Sequence, residues 1–535
     1  MRKKEGGAFV GIYLNPGNEG FQRAVQSRIY VDKTGLIDYT NSVLGTEQDC
    51  ICISRPRRFG KTMAADMLTA YYSRGCDSKA LFSQLQISQK PDFEKYLNQY
   101  DVIHLDITMF FRENETPLQL TERINREVVE ELRNAYPDCV SEKEDYLPAA
   151  LTAVFNETGR VFIIIIDEWD AIFRENQFDW EAQKAYIELL RALFKSAASR
   201  RFLKLAYMTG ILPIKKYNSE SALNNFDEFT MTRPARLAEY TGFTEPEVKA
   251  LCSEYHMDFS EAARWYDGYS FYRLKHVYSP SSIVKAMLNG EYGSYWTHTV
   301  AYESLKNYIS MNFDGLKDDV IRMLAGERCR VDVNTFENDM TSFRRKDDVE
   351  TMLIHLGYLA YDSNSKEAYI PNEEVRGVFF QAVKDTDWTP VVKALNRSEE
   401  LLKHTWNMDE TAVANAIDEI HMGNTSILNY NDENALSCVI SLAYYSAVND
   451  YTIVRELPAG KGYADLAFIP RKQSEKPAML VELKYQQSAE GAIAQIKEKK
   501  YIKVFEEYAG LVLLVGINYD RHTKHHFCVI EKWEK

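Results

Sequence analysis

The chain has 535 residues, a formal charge of −14, and 45% hydrophobic and 27% charged residues. That length exceeds one ordinary core, and the balance of apolar and charged residues excludes a disordered or fibrous chain. The acidic total excludes any general attraction to nucleic acid or anionic membranes, so a contact with DNA or RNA has to be local.

The eight cysteines are scattered without a C-x-x-C pair, which fits a reduced, cytoplasmic setting. The start, "MRKKEGGAFVGIYLNPG", is basic but lacks the apolar stretch of a signal peptide. The longest apolar runs, "VFIIII" and "LVLLVGI", suit buried strands and are too short to cross a bilayer. Neither export nor membrane insertion is expected.

In chain order, "YVDKT" (Tyr30–Thr34) comes first. It reads either as part of a nucleotide surround or as a turn in which Asp32 or Thr34 caps a helix. "DCICIS" then forms a short buried strand ending at Ser54, and "TMAADMLTAYYSRG" a helix stopped by Gly75. Between them lies "SRPRRFGKT". A phosphate loop turns backbone N–H groups toward phosphate oxygens, adds a lysine charge, and uses a hydroxyl to hold magnesium. Gly60, Lys61 and Thr62 meet that pattern, whereas Arg55 stands where the opening glycine belongs. Pro56 stiffens the approach, and Arg57 and Arg58 either meet phosphate or an adjoining domain, or are simply solvated.

"YDVIHLDIT" is a further strand, and "VFIIIIDEWD" delivers Asp167 and Glu168 after six apolar residues. This is where a hydrolysing P-loop protein needs an aspartate for magnesium and a glutamate for water; capping of the next helix is the other reading of Glu168. "FLKLAYMTG" is a fourth strand ending at Thr209. Four strands alternating with helices such as "WEAQKAYIELLRALFKSAAS" predict a mostly parallel α/β sheet. From about Lys306 to Ala382 the order helix, short strand, helix and hairpin suits a winged-helix-like module. The mixed signs in "SFRRKDD" favour an interdomain role over a DNA-reading face.

Toward the C-terminus, "GYADLAFIP" carries Asp465, and seventeen residues later "MLVELKY" carries Glu482 and Lys484. Two residues apart on a strand, Glu482 and Lys484 share one face while Val481 and Leu483 take the other. Carboxylates that hold a divalent cation and a lysine that positions water are what metal-dependent phosphodiester cleavage requires. The helix "AEGAIAQIKEKKYIKVFEEY" between "MLVELKY" and "LVLLVGI" predicts a parallel crossover. Glu433 is a further candidate ligand and Gln495 a supporting residue. The histidines His522, His525 and His526 lack a metal-binding spacing and are expected as loop and strand residues.

Together "YVDKT", "SRPRRFGKT", "IIIIDEWD", "GFTEPEV" (Gly242–Val248) and "WYDGYSF" (Trp265–Phe271) resemble the AAA-ATPase-like proteins of bacteria that carry a C-terminal PD-(D/E)xK nuclease-like domain. The resemblance covers most of the chain. It implies an additional-strand P-loop ATPase domain over 1–290, the winged-helix-like module over 291–385 and the nuclease-like domain over 386–535. It makes the arginine-proline opening of the loop the family's own version. "WYDGYSF" itself reads as interdomain or core packing.

The implied nucleotide set is Arg57, Arg58, Phe59, Gly60, Lys61, Thr62, Asp167 and Thr209, with Thr209 as a polar sensor and Glu168 as the catalytic glutamate. ATP and Mg2+ are the expected cofactors, with Thr62 and Asp167 as ligands at one centre and Asp465, Glu482 and Glu433 at the other. The resemblance places Asp465, Glu482 and Lys484 in the nuclease motif. The sequence departs from relatives that carry glycine-arginine before the motif aspartate: Gly462 is followed by Tyr463. Lys461, Lys497, Lys499 and Lys500 either supply that positive charge or form a solvated face.

The expected activity is an ATPase whose nucleotide state controls Mg-dependent cleavage of nucleic acid, DNA foremost, with a homo-oligomer as a further expectation. The alternative is a nucleotide-regulated switch whose nuclease-like domain binds without cutting.

Overall fold

The computed structural model describes residues 9–533 except 113–117, 215, 218–219, 222, 272, 297–299, 312, 338–340, 385, 387, 425–432, 460–461, 472–475, 500, 502–504 and 506–509. The chain separates into two compact units, residues 1–297 with 330–376 and residues 298–329 with 377–535. Elements of the segment 291–385 therefore fall on both sides of the division: the helix Leu316–Leu324 in the second unit, the helix Lys346–Leu356 and the hairpin of Ala360–Asp362 with Glu367–Tyr369 in the first. Among the described residues, no helix is long and apolar enough to cross a membrane.

The first unit is built on five strands: β1 (Cys50–Ser54), β2 (Asp101–Asp106), β3 (Phe162–Asp167), β4 (Leu203–Gly210) and β5 (Asp227–Phe229). Their spatial order is β2-β3-β4-β1-β5, every pair parallel. The runs CICIS and FIIIID are buried along their whole length, because helices cover both faces of such a sheet. The expected strands and their parallel pairing are thus present, with β3 and β4 between β1 and β2. Parallel pairing brings the C-terminal ends of β1, β3 and β4 to one edge, and the phosphate-loop sequence and DEWD emerge there.

At that edge Arg55 extends the β1 ladder, its N–H donating to the Gly210 carbonyl at 3.0 Å. Its side chain is fully buried. Nε donates to Thr241 Oγ1 (2.9 Å) and Nη1 to the carbonyls of Ser54 and Phe229 (2.8 Å each), while the guanidinium lies 4.9 Å from the centre of the Phe271 ring. Desolvation lowers its pKa to about 10. The residue that breaks the usual loop pattern is therefore a structural clamp tying the end of β1 to β5, Thr241 and the "WYDGYSF" strand.

The other signature segments extend the same frame. Asp32 accepts from the Thr34 N–H and hydroxyl and from Gln86 N, which fixes the turn before the helix Gly35–Val43. Lys33 pairs with Glu247 at 2.7 Å, and Glu247 closes a capping box with Thr244 in "GFTEPEV". Tyr269 donates to the Gly357 carbonyl (2.7 Å) and packs edge-on against Phe59. At Gly357 (φ 86°), a β-carbon would come within 2.7 Å of Pro56, so the loop requires glycine there. Glu374, 1% exposed, accepts from Ser282 Oγ and from the N–H groups of Tyr295 and Trp296.

The second unit carries β6 (Tyr451–Ala459), β7 (Gly462–Pro470), β8 (Ala478–Tyr485), β9 (Val512–Asp520) and β10 (His525–Trp533) in sequential order. Neighbours are antiparallel except β8 and β9, which are parallel and joined through the helix Ala489–Glu498, as its position between them requires. Ala478, Leu480, Ile493, Ile496 and Leu514 form the core beneath that helix. Gly516 faces Glu482 in the ladder, and a β-carbon there would lie 2.3 Å from the Ala489 carbonyl oxygen, so glycine admits the helix.

Two predictions follow from these buried charges. Arg55→Gly recreates the usual opening of a phosphate loop, yet it strands the carbonyls of Ser54 and Phe229; it should lower unfolding free energy by roughly 3 kcal/mol. A denaturant titration showing no loss would refute the clamp. Burial pushes Glu374 up to about 7 despite its hydrogen bonds and the charge of Arg58. An acid raised on folding holds its proton longer in the folded state, so its burial favours folding below the unfolded pKa and loses that advantage as pH rises toward 7. Glu374→Gln keeps the acceptor for Tyr295 and Trp296. Its stability relative to wild type should rise between pH 4 and pH 8 by up to about 3 kcal/mol, measured as paired thermal melts.

Candidate functional site: a phosphate-loop cavity and a carboxylate-lysine centre

The helix Lys61–Tyr72 begins after Gly60, whose left-handed backbone (φ 85°) glycine adopts without strain. Arg58 is also left-handed (φ 69°) and donates to the Tyr295 carbonyl at 3.0 Å. A cavity of about 800 Å³ opens beside the loop. Its walls include Arg57, Arg58, Phe59, Gly60, Lys61 and Thr62, so the expected loop set is brought together. Tyr30, Val31 and Lys33 of "YVDKT" line it too, while Asp32 is taken up by its turn. Apolar walls near Phe243 and Val284 complete a chamber large enough for a nucleotide-sized ligand.

Lys61 is 5% exposed. Its Nζ donates to the Pro56 carbonyl at 3.1 Å and lies 3.8 Å from Glu168 Oε1. Burial lowers its pKa, opposed by the charges of Glu168, Asp167 and Asp170. Asp167 is buried behind Thr62 and hydrogen-bonds to it; desolvation raises its carboxyl to about 6. A carboxylate and a hydroxyl placed together behind a lysine fit a magnesium ion bound with phosphates. Glu168 follows with φ 49°, and its N–H donates to Asp167 Oδ1 at 2.9 Å.

Thr209, expected as a sensor, is buried at the end of β4. Its hydroxyl donates to the Ile53 carbonyl (3.1 Å), and its own carbonyl accepts from Trp169 N (3.1 Å). It stitches β4 to β1 and to the DEWD turn, and it does not line the cavity.

Sequence reasoning missed Arg174 and Asp170. Asp170 is fully buried; its Oδ2 accepts from the N–H groups of Ile211 (3.1 Å) and Leu212 (2.8 Å) and from Arg174 Nε (3.1 Å). Arg174 lines the cavity and pairs through Nη2 with Glu168. The available signal was spacing: Asp170 and Arg174 stand four apart where DEWD runs into a helix, within reach of one another.

In the second unit, β7 and β8 pair Leu466 with Val481 and Ala467 with Leu480. Continued by one residue, that antiparallel register sets Asp465 opposite Glu482. Asp465 Oδ2 accepts from Leu483 N at 2.7 Å. Glu482 is 1% exposed; its Oε1 accepts from Lys484 Nζ (3.2 Å) and from Gln495 Nε2. Desolvation first, then the charge of Asp465, raises Glu482 to about 7, against the opposing effect of Lys484. Its Oε2 is buried without a hydrogen-bond partner. An orphaned buried carboxylate oxygen facing a second carboxylate is the donor set a divalent cation would satisfy. The residues therefore fit Mg2+, with Asp465 and Glu482 as its holders and Gln495 in support.

Among the described residues, no three His, Cys, Asp or Glu side chains converge into a complete cation cage. Glu433 begins the helix Glu433–Ala443, and its side chain lies outside the described residues, as do Lys461 and Lys500. Lys497 pairs with Glu531, and Lys499 lies 5.8 Å from the Tyr501 ring centre. Tyr463, which follows Gly462, is 63% exposed. His525 and His526 stand on β10 and bond to the Asp418 carboxylate through Nδ1, at 2.8 and 2.6 Å.

Two family models match separate parts of the chain. Residues 18–218 match the family model of a predicted AAA-ATPase, and residues 431–528 match that of the PD-(D/E)XK nuclease superfamily. A curated relative from Azotobacter chroococcum mcd 1, described as an uncharacterized protein in the vnfD 5' region, is 25% identical over 290 residues. That match covers 50% of each chain, so the present chain spans about half the length of this relative. The Aeropyrum pernix ORC2 protein, solved as ADPNP-ADP complexes, aligns over 68% of this chain and 98% of its own at 10% identity and a TM-score of 0.31. The chain thus joins an AAA-ATPase-like domain to a PD-(D/E)XK nuclease-like domain.

Proposed function

We propose that the protein binds and hydrolyses Mg-ATP in its first unit, and that the nucleotide state controls Mg-dependent cleavage of phosphodiesters, DNA foremost, by its second. The observation that carries the cleaving half is Glu482: a buried carboxylate with one unanswered oxygen, opposite Asp465 and bonded to Lys484. In the ATPase half, Lys61 holds the β and γ phosphates from within the cavity. Thr62 and Asp167 hold magnesium, which neutralises developing phosphate charge. Glu168 accepts the proton of the attacking water as the bond from the γ phosphorus to the β–γ bridging oxygen breaks, releasing ADP and phosphate.

In the second unit, a divalent cation would be held by Asp465 and Glu482 and would supply Lewis acidity toward water and the scissile phosphate. Asp465 and Glu482 orient that site. Lys484, beside Glu482, positions the attacking water. That both units belong to one chain is what supports coupling of the activities.

A second reading is a switch whose nuclease-like domain binds without cutting. It draws support from Glu482 Oε1, which Lys484 and Gln495 already engage within the protein.

Glu168→Gln should still bind ATP, at least as tightly as wild type, while turnover falls by about 10²-fold or more, read by phosphate release; Lys61→Ala should lose ATP binding itself. Undiminished hydrolysis by Glu168→Gln would remove that residue's role. Asp465→Ala and Lys484→Ala should each abolish magnesium-dependent nicking of supercoiled plasmid with ATP binding intact. Full nicking by both variants would sink the nuclease assignment, and no nicking by wild type with ATP and magnesium would favour the switch.

A further inference from the structure

Glu168, the residue proposed to take the proton of water, is held by two cations that both line the cavity. Lys61 Nζ lies 3.8 Å from Oε1, and Arg174 Nη2 bonds to Oε2. Both oxygens of the carboxylate are thus engaged. The Arg174 side chain is itself only 8% exposed and is fixed at its base by Asp170, whose Oδ2 is anchored on the N–H groups of Ile211 and Leu212. That anchoring holds Asp170, and through it the Nε end of Arg174, in place. The Nη end of the fork is the part that can change partner, and the cavity lies in front of it.

A guanidinium beside a phosphate-sized space has a stronger partner available than one carboxylate. A terminal phosphate offers several oxygens and more negative charge, and the planar fork of arginine matches it with two parallel donors. The neighbouring Lys61 is drawn to the same oxygens. Glu175, 3.9 Å from Nη1 and largely exposed, is too solvated to compete.

We propose that Arg174 is a triphosphate-operated latch: it holds Glu168 when the cavity is empty and transfers its Nη donors to the terminal phosphate of a nucleoside triphosphate, releasing Glu168 to receive the proton of water. The exchange is non-covalent, with a guanidinium–carboxylate contact given up for a guanidinium–phosphate contact. A diphosphate, which lacks the terminal group, leaves the latch closed. The arginine that reads the terminal phosphate is therefore supplied by the same chain that carries the phosphate loop. Arg174 acts on hydrolysis partly through Glu168 and is in that sense a positioning residue. This inference rests on the reading of the cavity as a nucleotide site.

The test uses the full-length protein and compares wild type, Arg174→Gln, Arg174→Lys, Glu168→Gln and the double variant Glu168→Gln/Arg174→Gln. Dissociation constants for ATP and ADP are measured, together with steady-state ATP turnover and thermal melts to verify folding. In Arg174→Gln, ATP affinity should fall about tenfold with ADP affinity unchanged, and turnover should fall roughly 10²- to 10³-fold. Arg174→Lys should recover part of the ATP preference, because it keeps the charge and loses the fork. Glu168→Gln should bind ATP more tightly than wild type, since the latch has no anion to leave, and the double variant should lose that gain.

An unchanged ATP-to-ADP ratio in Arg174→Gln, or faster turnover than wild type, overturns the latch. A folded Arg174→Lys no better than Arg174→Gln in ATP preference overturns it as well. The failures are separable: wild type that binds no ATP, or binds it equally well after Lys61→Ala, removes the nucleotide reading and the latch with it. ATP binding that needs Lys61 but is indifferent to Arg174 removes the latch alone.

Discussion

A charged group taken out of water has to be answered by a partner or by a ligand, and the placement of such groups at the ends of two sheets governs both candidate sites. In the first unit the parallel pairing of β1, β3 and β4 delivers Arg55, Asp167 and the turn holding Asp170 to one edge. These residues and Lys61 of the loop are largely or wholly buried, and Arg55, Asp170 and Lys61 are answered differently. Arg55 is answered by carbonyls, a hydroxyl and the Phe271 ring, which makes it scaffold. Asp170 is answered at Oδ2 by backbone N–H groups and Arg174, which makes it an anchor. Lys61 is answered only by a loop carbonyl and a carboxylate 3.8 Å away, which leaves its charge available to an incoming anion.

The second unit reaches a related condition by another topology. Antiparallel register opposes two carboxylates, and packing of the helix Ala489–Glu498 through Gly516 keeps Glu482 from solvent. Like charges facing one another across a strand pair are unfavourable. Lys484 and Gln495 relieve one oxygen of Glu482 and leave the other unanswered. Ordinary core strands avoid such an arrangement, whereas a cation-binding site depends on it.

The signature segments acquire a common physical meaning from the same frame. "YVDKT", "GFTEPEV" and "WYDGYSF" are distant in sequence, yet Lys33 pairs with Glu247, while Tyr269 joins the Gly357 carbonyl to the Phe59 ring. The loop's Pro56 fits against Gly357, where no side chain could stand. "WYDGYSF" is therefore packing that holds the loop, in line with its reading as core packing, and "YVDKT" forms a turn before the helix Gly35–Val43, without a side-chain cap, and part of the cavity wall.

Much of the fold was legible in local pattern. Six consecutive apolar residues before Asp167 announce a strand buried on both faces, and a helix between "MLVELKY" and "LVLLVGI" forces a parallel pair, because both follow from periodicity and chain geometry alone. The loop lysine, the DEWD acids and the E-x-K strand were legible for the same reason: their spacing within one element fixes which side chains share an edge or a face. Arg55 as clamp, Thr209 as a stitch between strands, Arg174 as the partner of Glu168 and the unanswered oxygen of Glu482 were not. Each depends on which distant backbone or side-chain groups fill the remaining hydrogen-bonding positions. Sequence determined which charged residues would stand at the strand ends; only the tertiary structure decided which would be satisfied there and which left to bind, since desolvation and pairing are properties of the packed neighbourhood.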